Sequence, residues 1–225
     1  MLRRAFPLLV IVAIAFFGAA PFLIGAAPYE STMGLVQKIF YFHAPAGMIM
    51  FLAACVSGAA SAWFLFTGKP SADRVAAAAT ELTVLFGAIV LMTGPIWGRK
   101  AWGVWWQWDA RLTSSLVLWM MFTACLLVRK YGGPGSAKLA AAVSLFGMAN
   151  VPFVYVSVNV WRTVHPKTTV VPTLGAGMRE PFWFCATAFL LLFLVLLAVR
   201  VRLADQQAEL ETLYLELGDR PAPLQ

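Results

Sequence analysis

Six stretches of apolar residues, most of them close to 20 long, recur along this chain of 225 residues, and no other feature limits its fold as strongly. A helix needs about 20 such residues to cross the hydrocarbon core of a bilayer. The stretches cover 5–24, 46–67, 75–96, 112–128, 139–158 and 181–199, and Glu81 is the one formally charged residue inside any of them. Strict period-2 alternation is absent, which argues against a membrane β-barrel. Only 12% of residues are charged, too few to cover a soluble globule of this size, for which about a quarter is usual. The sequence therefore predicts an all-α, polytopic membrane bundle of six transmembrane helices with lipid as its main solvent.

Arg3 and Arg4 precede the first stretch as they would in a signal peptide. The apolar run that follows reaches from Ala5 to Ala27, longer than a signal peptide's central region, and is read as an uncleaved first span. Lys and Arg set the orientation. Arg3, Arg4, Lys69, Arg74, Arg129, Lys130, Lys138, Arg200, Arg202 and Arg220 fall on one side; Lys38, Arg99, Lys100, Arg111, Arg162, Lys167 and Arg179 fall on the other. The first side also has the short loops, so it is assigned to the cytoplasm, with both termini there. Cations remain on the outer side, and an anionic ligand is one reason for them. The net charge of +7 forms no basic stripe, so a nucleic-acid partner is not expected. Leu203, Leu210, Leu213, Tyr214 and Leu217 recur near helical spacing among Asp205, Glu209, Glu211 and Glu216, predicting a short amphipathic helix that ends near Gly218. Residues 1–202 are read as the membrane domain and 203–225 as a cytoplasmic tail, either a solvated helix or a partner-docking one.

The second outer loop concentrates five of the nine tryptophans: Trp97, Trp102, Trp105, Trp106 and Trp108. An interfacial aromatic belt accounts for one or two of these and poorly for five within twelve positions. On a helix, Trp102, Trp106 and Asp109 would share one face. Indole rings beside Arg99, Lys100 and Arg111 suit a flat aromatic ligand with acidic groups. Asp109 precedes the fourth span, so it has three open readings: N-cap of that helix, partner of Arg111, or direct ligand contact. The only histidines, His43 and His165, fall in the first and third outer loops, each shortly before a proline. Two neutral imidazoles on the tryptophan side could fill both axial positions of a haem iron. Zinc or copper would want more ligands than this pair supplies. The three cysteines lie inside apolar runs and form no C-x-x-C-H, so covalent haem attachment to this chain lacks its usual motif. No G-x-S-x-G and no Walker A sequence occurs.

The run WGRKA followed by WGVWWQWDARLT at 102–113 resembles the tryptophan-rich WWD motif of the haem-handling proteins of cytochrome c maturation. QKIFYFHAPAG at 37–47 and SVNVWRTVHP at 157–166 resemble that family's two histidine segments, and with six spans and short loops nearly the whole chain is similar to its small CcmC members. The resemblance implies that His43 and His165 are axial ligands of a non-covalent haem b, and that Trp102, Trp105, Trp106, Trp108 and Asp109 form the tryptophan-rich loop. It further implies haem-site roles for Arg111, for Lys38 (where an Arg is familiar) and for Trp161. The implied partners are the haem chaperone CcmE, the small membrane protein CcmD, and the ABC-type subunits CcmA and CcmB. The expected function is a haem carrier of the bacterial inner membrane, not an enzyme, which presents haem to CcmE at the periplasmic surface with Lys38, Arg99, Lys100 and Arg111 near the propionates. Two alternatives remain. One is a b-type electron carrier, disfavoured because both histidines lie at span ends. The other is a transporter moving haem through its bundle, for which Glu81 is the residue to test, against a simpler reading of Glu81 as an interfacial polar group.

Overall fold

The computed structural model describes residues 2–218, with side chains from residue 5 onward; Arg220 and the end of the expected tail lie outside the described residues, as do the Arg3 and Arg4 side chains. Six helices follow one another: α1 (Leu2–Ala26), α2 (Phe40–Thr67), α3 (Pro70–Ala101), α4 (Ala110–Tyr131), α5 (Ser136–Val160) and α6 (Arg179–Glu216). Each is long and apolar enough to cross a membrane. The chain is thus a polytopic all-α membrane protein.

Local chemistry explains the breaks. Gly68 closes α2 in the left-handed region at φ 68°, its N–H bonded to the Phe64 carbonyl, and Pro70 opens α3 in a position where its missing N–H costs nothing. Asp109 caps α4 by accepting the Leu112 amide at 2.8 Å. Connections alternate in length. Those after α2 and α4 take only a few residues, whereas residues 27–39, 102–109 and 161–178 form long segments at the opposite end of the bundle. A short 3-10 turn, Leu35–Ile39, leads into α2.

Small residues let the helices approach closely, as they must where lipid offers no hydrophobic drive for association. A Cβ at Gly58 would collide with the Met148 side chain, and one at Gly147 would meet the Phe122 ring at 2.7 Å. Ala46, Ala53 and Ala54 of α2 pack with Leu82, Phe86, Leu118, Phe122 and Phe189 in the main core. Buried polar groups pair across helices: Ser57 Oγ lies 2.7 Å from both Thr80 Oγ1 and Ser144 Oγ, joining α2, α3 and α5. At the short-loop end Arg129 pairs with Asp73 at 2.7 Å, and Arg200 grips Glu81 through two nitrogens at 2.5 and 2.7 Å. Glu81 is therefore engaged as an interhelical counter-ion.

Three expectations need correction. The second span starts at Phe40, so His43 stands in the first turn of α2 instead of closing a loop. Pro45 does not start the helix: its missing N–H affects only the carbonyl four residues back, near the helix end. The acidic, leucine-bearing stretch after Val201 is no separate short helix, because α6 runs unbroken for 38 residues. Residues 102–109 are not helical, so Trp102, Trp106 and Asp109 share no helix face.

Candidate functional site

The three long connections converge on a cavity of about 650 Å3, within the range of sites for organic ligands. Its wall combines α2, α3, the tryptophan loop, α4, α5, the segment after α5 and the start of α6. His43 and His165 both line it, with ring centroids 6.4 Å apart. Roughly 2 Å for each metal–nitrogen bond, plus about 1 Å from nitrogen to ring centre on each side, gives about the same span for two imidazoles on one metal ion.

Each histidine is held by its Nδ1. His43 is 9% exposed, with Nδ1 2.9 Å from the Thr93 hydroxyl of α3. His165 Nδ1 lies 2.8 Å from the carbonyl of Pro166, an acceptor only. Burial first, and then the charge of Arg111, push the His165 imidazole down to about 4, so it is neutral at ordinary pH.

The tryptophan loop is shaped by a glycine and a cap. Trp102 ends α3 with its N–H on the Gly98 carbonyl, and its ring lies so close over Gly98 that a Cβ there would stand 2.9 Å from it. Gly103, at φ 77°, then turns the chain out of the helix, a conformation that suits glycine, and Arg99 bonds its carbonyl. Trp102, Trp105 and Trp106 consequently line the cavity, together with Trp97 from α3 and Trp183 from α6. Trp108 does not: it is 76% exposed and meets Trp106 edge-on from outside.

Asp109 does not line the cavity, yet it assembles it. Besides capping α4, its Oδ2 accepts from the Thr163 hydroxyl at 2.5 Å and the Val164 amide at 3.1 Å. The carboxylate thus ties the segment bearing His165 to the root of the tryptophan loop. No ion pair joins it to Arg111 among the described residues. Arg111 instead donates to the Val154 carbonyl of α5 and lies over the Phe51 ring, with its guanidinium in the cavity wall.

Other expected residues stand apart. Lys38 donates to the Gly25 carbonyl at 2.7 Å and covers the Tyr29 ring, pinning the end of α1. Trp161 packs on Phe153 and is half exposed. Arg99 and Lys100 are exposed and outside the wall. The lining cations are Arg111, Lys167 and Arg179. Of these, Lys167 follows His165 by two residues, a proximity that could have singled it out; nothing local singles out Arg179. Thr93 and Tyr155 were also missed, and Trp97, counted with the tryptophan loop, stands on α3.

The wall carries no Asp or Glu, and two indole donors in it, Trp97 Nε1 and Trp106 Nε1, are buried without a partner among the described residues. Unfilled donors beside three cations suit an acceptor-rich anion. Among the described residues no three His, Cys, Asp or Glu side chains cluster, so a metal taken here would have two protein ligands and need the rest from its own carrier.

A family model described as heme exporter protein C matches residues 1–215. The heme exporter protein C of Bradyrhizobium diazoefficiens is 34% identical over 199 residues, which cover 86% of this chain and 76% of that protein. That of Escherichia coli strain K12 is 33% identical over 186 residues, 79% of this chain and 74% of the relative. A putative cytochrome c biosynthesis ccmC-like mitochondrial protein of Arabidopsis thaliana is 29% identical over 183 residues, 80% of this chain and 70% of the relative.

Proposed function

The chain belongs to the heme exporter protein C family, and from that premise we propose that it holds one haem b non-covalently between His43 and His165 and presents it to the chaperone CcmE for cytochrome c maturation. The observation that carries this reading is the pair of cavity-lining imidazoles 6.4 Å apart, each bonded through Nδ1. With Nδ1 engaged, Nε2 is the nitrogen left for iron. Haem brings four ring nitrogens of its own, which matches a site offering only two ligands. Its macrocycle suits Trp97, Trp102, Trp105 and Trp106, and its propionates suit Arg111, Lys167, Arg179 and the unpartnered indole N–H groups.

In this reading the chain is a carrier and carries out no covalent chemistry itself. Its residues bind, orient and shield: the histidines ligate, the tryptophans exclude water and Asp109 holds the His165 segment in place. Lys38, Trp108 and Trp161 act from outside the cavity, by bracing loops or by facing a partner. The protein sits in the bacterial inner membrane with both termini cytoplasmic and the long-loop end periplasmic, so CcmE meets the haem there. CcmD and the ABC-type subunits CcmA and CcmB are the further partners, and residues 203–218 extend on the cytoplasmic side of the membrane domain.

Detergent-purified protein, loaded with haem, is expected to give the low-spin spectrum of bis-imidazole haem and to lose all haem to acid–acetone. Haem that stays on the polypeptide, or a high-spin spectrum at saturation, overturns the proposal.

A further inference from the structure

We propose that Thr93 is the positioning residue that fixes which nitrogen of His43 is free to ligate, an inference that rests on the haem reading above. A threonine hydroxyl has one proton to give. Thr93 Oγ1 lies 2.7 Å from the Ile89 carbonyl, one turn back in α3, and that carbonyl can only accept. The hydroxyl proton is therefore committed to Ile89. Toward His43 Nδ1, at 2.9 Å, the same oxygen can only accept. Nδ1 must then carry the imidazole proton, and Nε2 is left as the lone-pair nitrogen.

The same turn of α3 shapes the space around the ring. A Cβ at position 94 would come within 3.2 Å of His43 Cε1, so Gly94 supplies clearance that alanine would narrow. The Trp97 ring closes another side, with its centroid 6.2 Å from that of His43. Thr93, Gly94 and Trp97 thus hold one imidazole in one tautomer within one seat. His165 is held differently, by the backbone carbonyl of Pro166, which no side-chain substitution removes. Of the two ligands, only His43 has its proton placed by a side chain. A hydrogen bond from the distal nitrogen of a ligating histidine fixes ring orientation and raises its basicity, and losing such a partner typically costs about 10–100-fold in metal affinity.

The test uses haemin and the full-length protein in detergent. Thr93→Val keeps the shape and removes the acceptor. It should weaken haemin binding by about 10–100-fold and shift the reduction potential of bound haem upward, because a less basic imidazole stabilises ferric iron less. Thr93→Ser should restore both. A second arm tolerates poor folding of the valine variant: in a His43→Gly background, added imidazole can offer an N–H to Thr93 and 1-methylimidazole cannot. Imidazole should restore the low-spin spectrum better than 1-methylimidazole when Thr93 is present, and that preference should shrink when Thr93→Val is added. Wild-type affinity and potential in Thr93→Val, an equal fall in Thr93→Ser, or an unchanged preference in the double variant overturns the role of Thr93. A wild-type protein that takes up no haemin overturns instead the reading on which it rests.

Discussion

Asp109→Asn separates two tasks that a single carboxylate performs. Asparagine keeps a carbonyl oxygen for the Leu112 amide, so α4 retains its cap. Its NH2 group, however, cannot accept, and the Thr163 hydroxyl and Val164 amide now face a donor. Hydrogen bonds to a charged acceptor contribute about 1.5–3 kcal/mol each. Both here are only partly buried, so about 3 kcal/mol for the pair is a reasonable magnitude. If that energy is what holds the His165 segment in its ligating position, haem affinity should fall by about 100-fold, at 1.4 kcal/mol per decade. Asp109→Ala should fall as far in affinity and lose a further ~1 kcal/mol of stability with the cap. Absorbance titration with haemin reads the first quantity, and amide exchange at Val164 reads the second link directly. An Asp109→Asn protein with wild-type haem affinity and undiminished protection at Val164 would refute the bridging role.

The histidines and tryptophans should separate in rescue. His43→Ala and His165→Ala are each expected to weaken haem retention, with added imidazole restoring part of it; Trp102→Ala and Trp106→Ala lose stacking area that imidazole cannot replace, so equal rescue of both classes, seen in the Soret spectrum, would contradict the division. Acid should release haem late. His165 is held near 4 against about 6.5 in an unfolded chain, and bound iron would hold off the proton further, so ligation should persist from neutral pH down to at least about 4 in a spectral titration. Across the window between those values the unfolded chain binds the extra proton, so the stability of the haem-free protein should decline as pH falls from about 6.5 toward about 4. Reporter fusions after residue 218 should be active in the cytoplasm; activity confined to the periplasm would invert the topology and place the cavity on the wrong side.

What sequence could and could not reveal follows from the range of the forces involved. Apolar length is a local property, so the six spans were readable. Their alternation placed both histidines and the tryptophan loop at one end before any contact was known. The cap at Asp109 was readable for the same reason: it depends on residues three apart. Its bonds to Thr163 and Val164 span more than fifty positions and leave no local mark. The tryptophan loop failed as a helix because periodicity assumes the helix it is used to detect, and Gly103 at φ 77° ends that assumption one residue after Trp102. Among the cations, charge alone could not separate Lys167 and Arg179, which reach the cavity, from Lys38, which is spent on the Gly25 carbonyl. Thr93 was invisible because its partner is fixed by α2 packing on α3.

The unbroken course of α6 has a geometric consequence. At about 1.5 Å per residue, its 38 residues form a rod nearly 60 Å long, about twice the thickness of a bilayer's hydrocarbon core. Arg179 and Trp183 at its start stand in the cavity wall, while Leu210, Leu213 and Leu217 at its far end project exposed beyond the Arg74–Asp205 pair. One continuous helix thus joins the cavity wall to apolar residues beyond the bundle's far end, tied to α3 on the way by the Arg200–Glu81 pair.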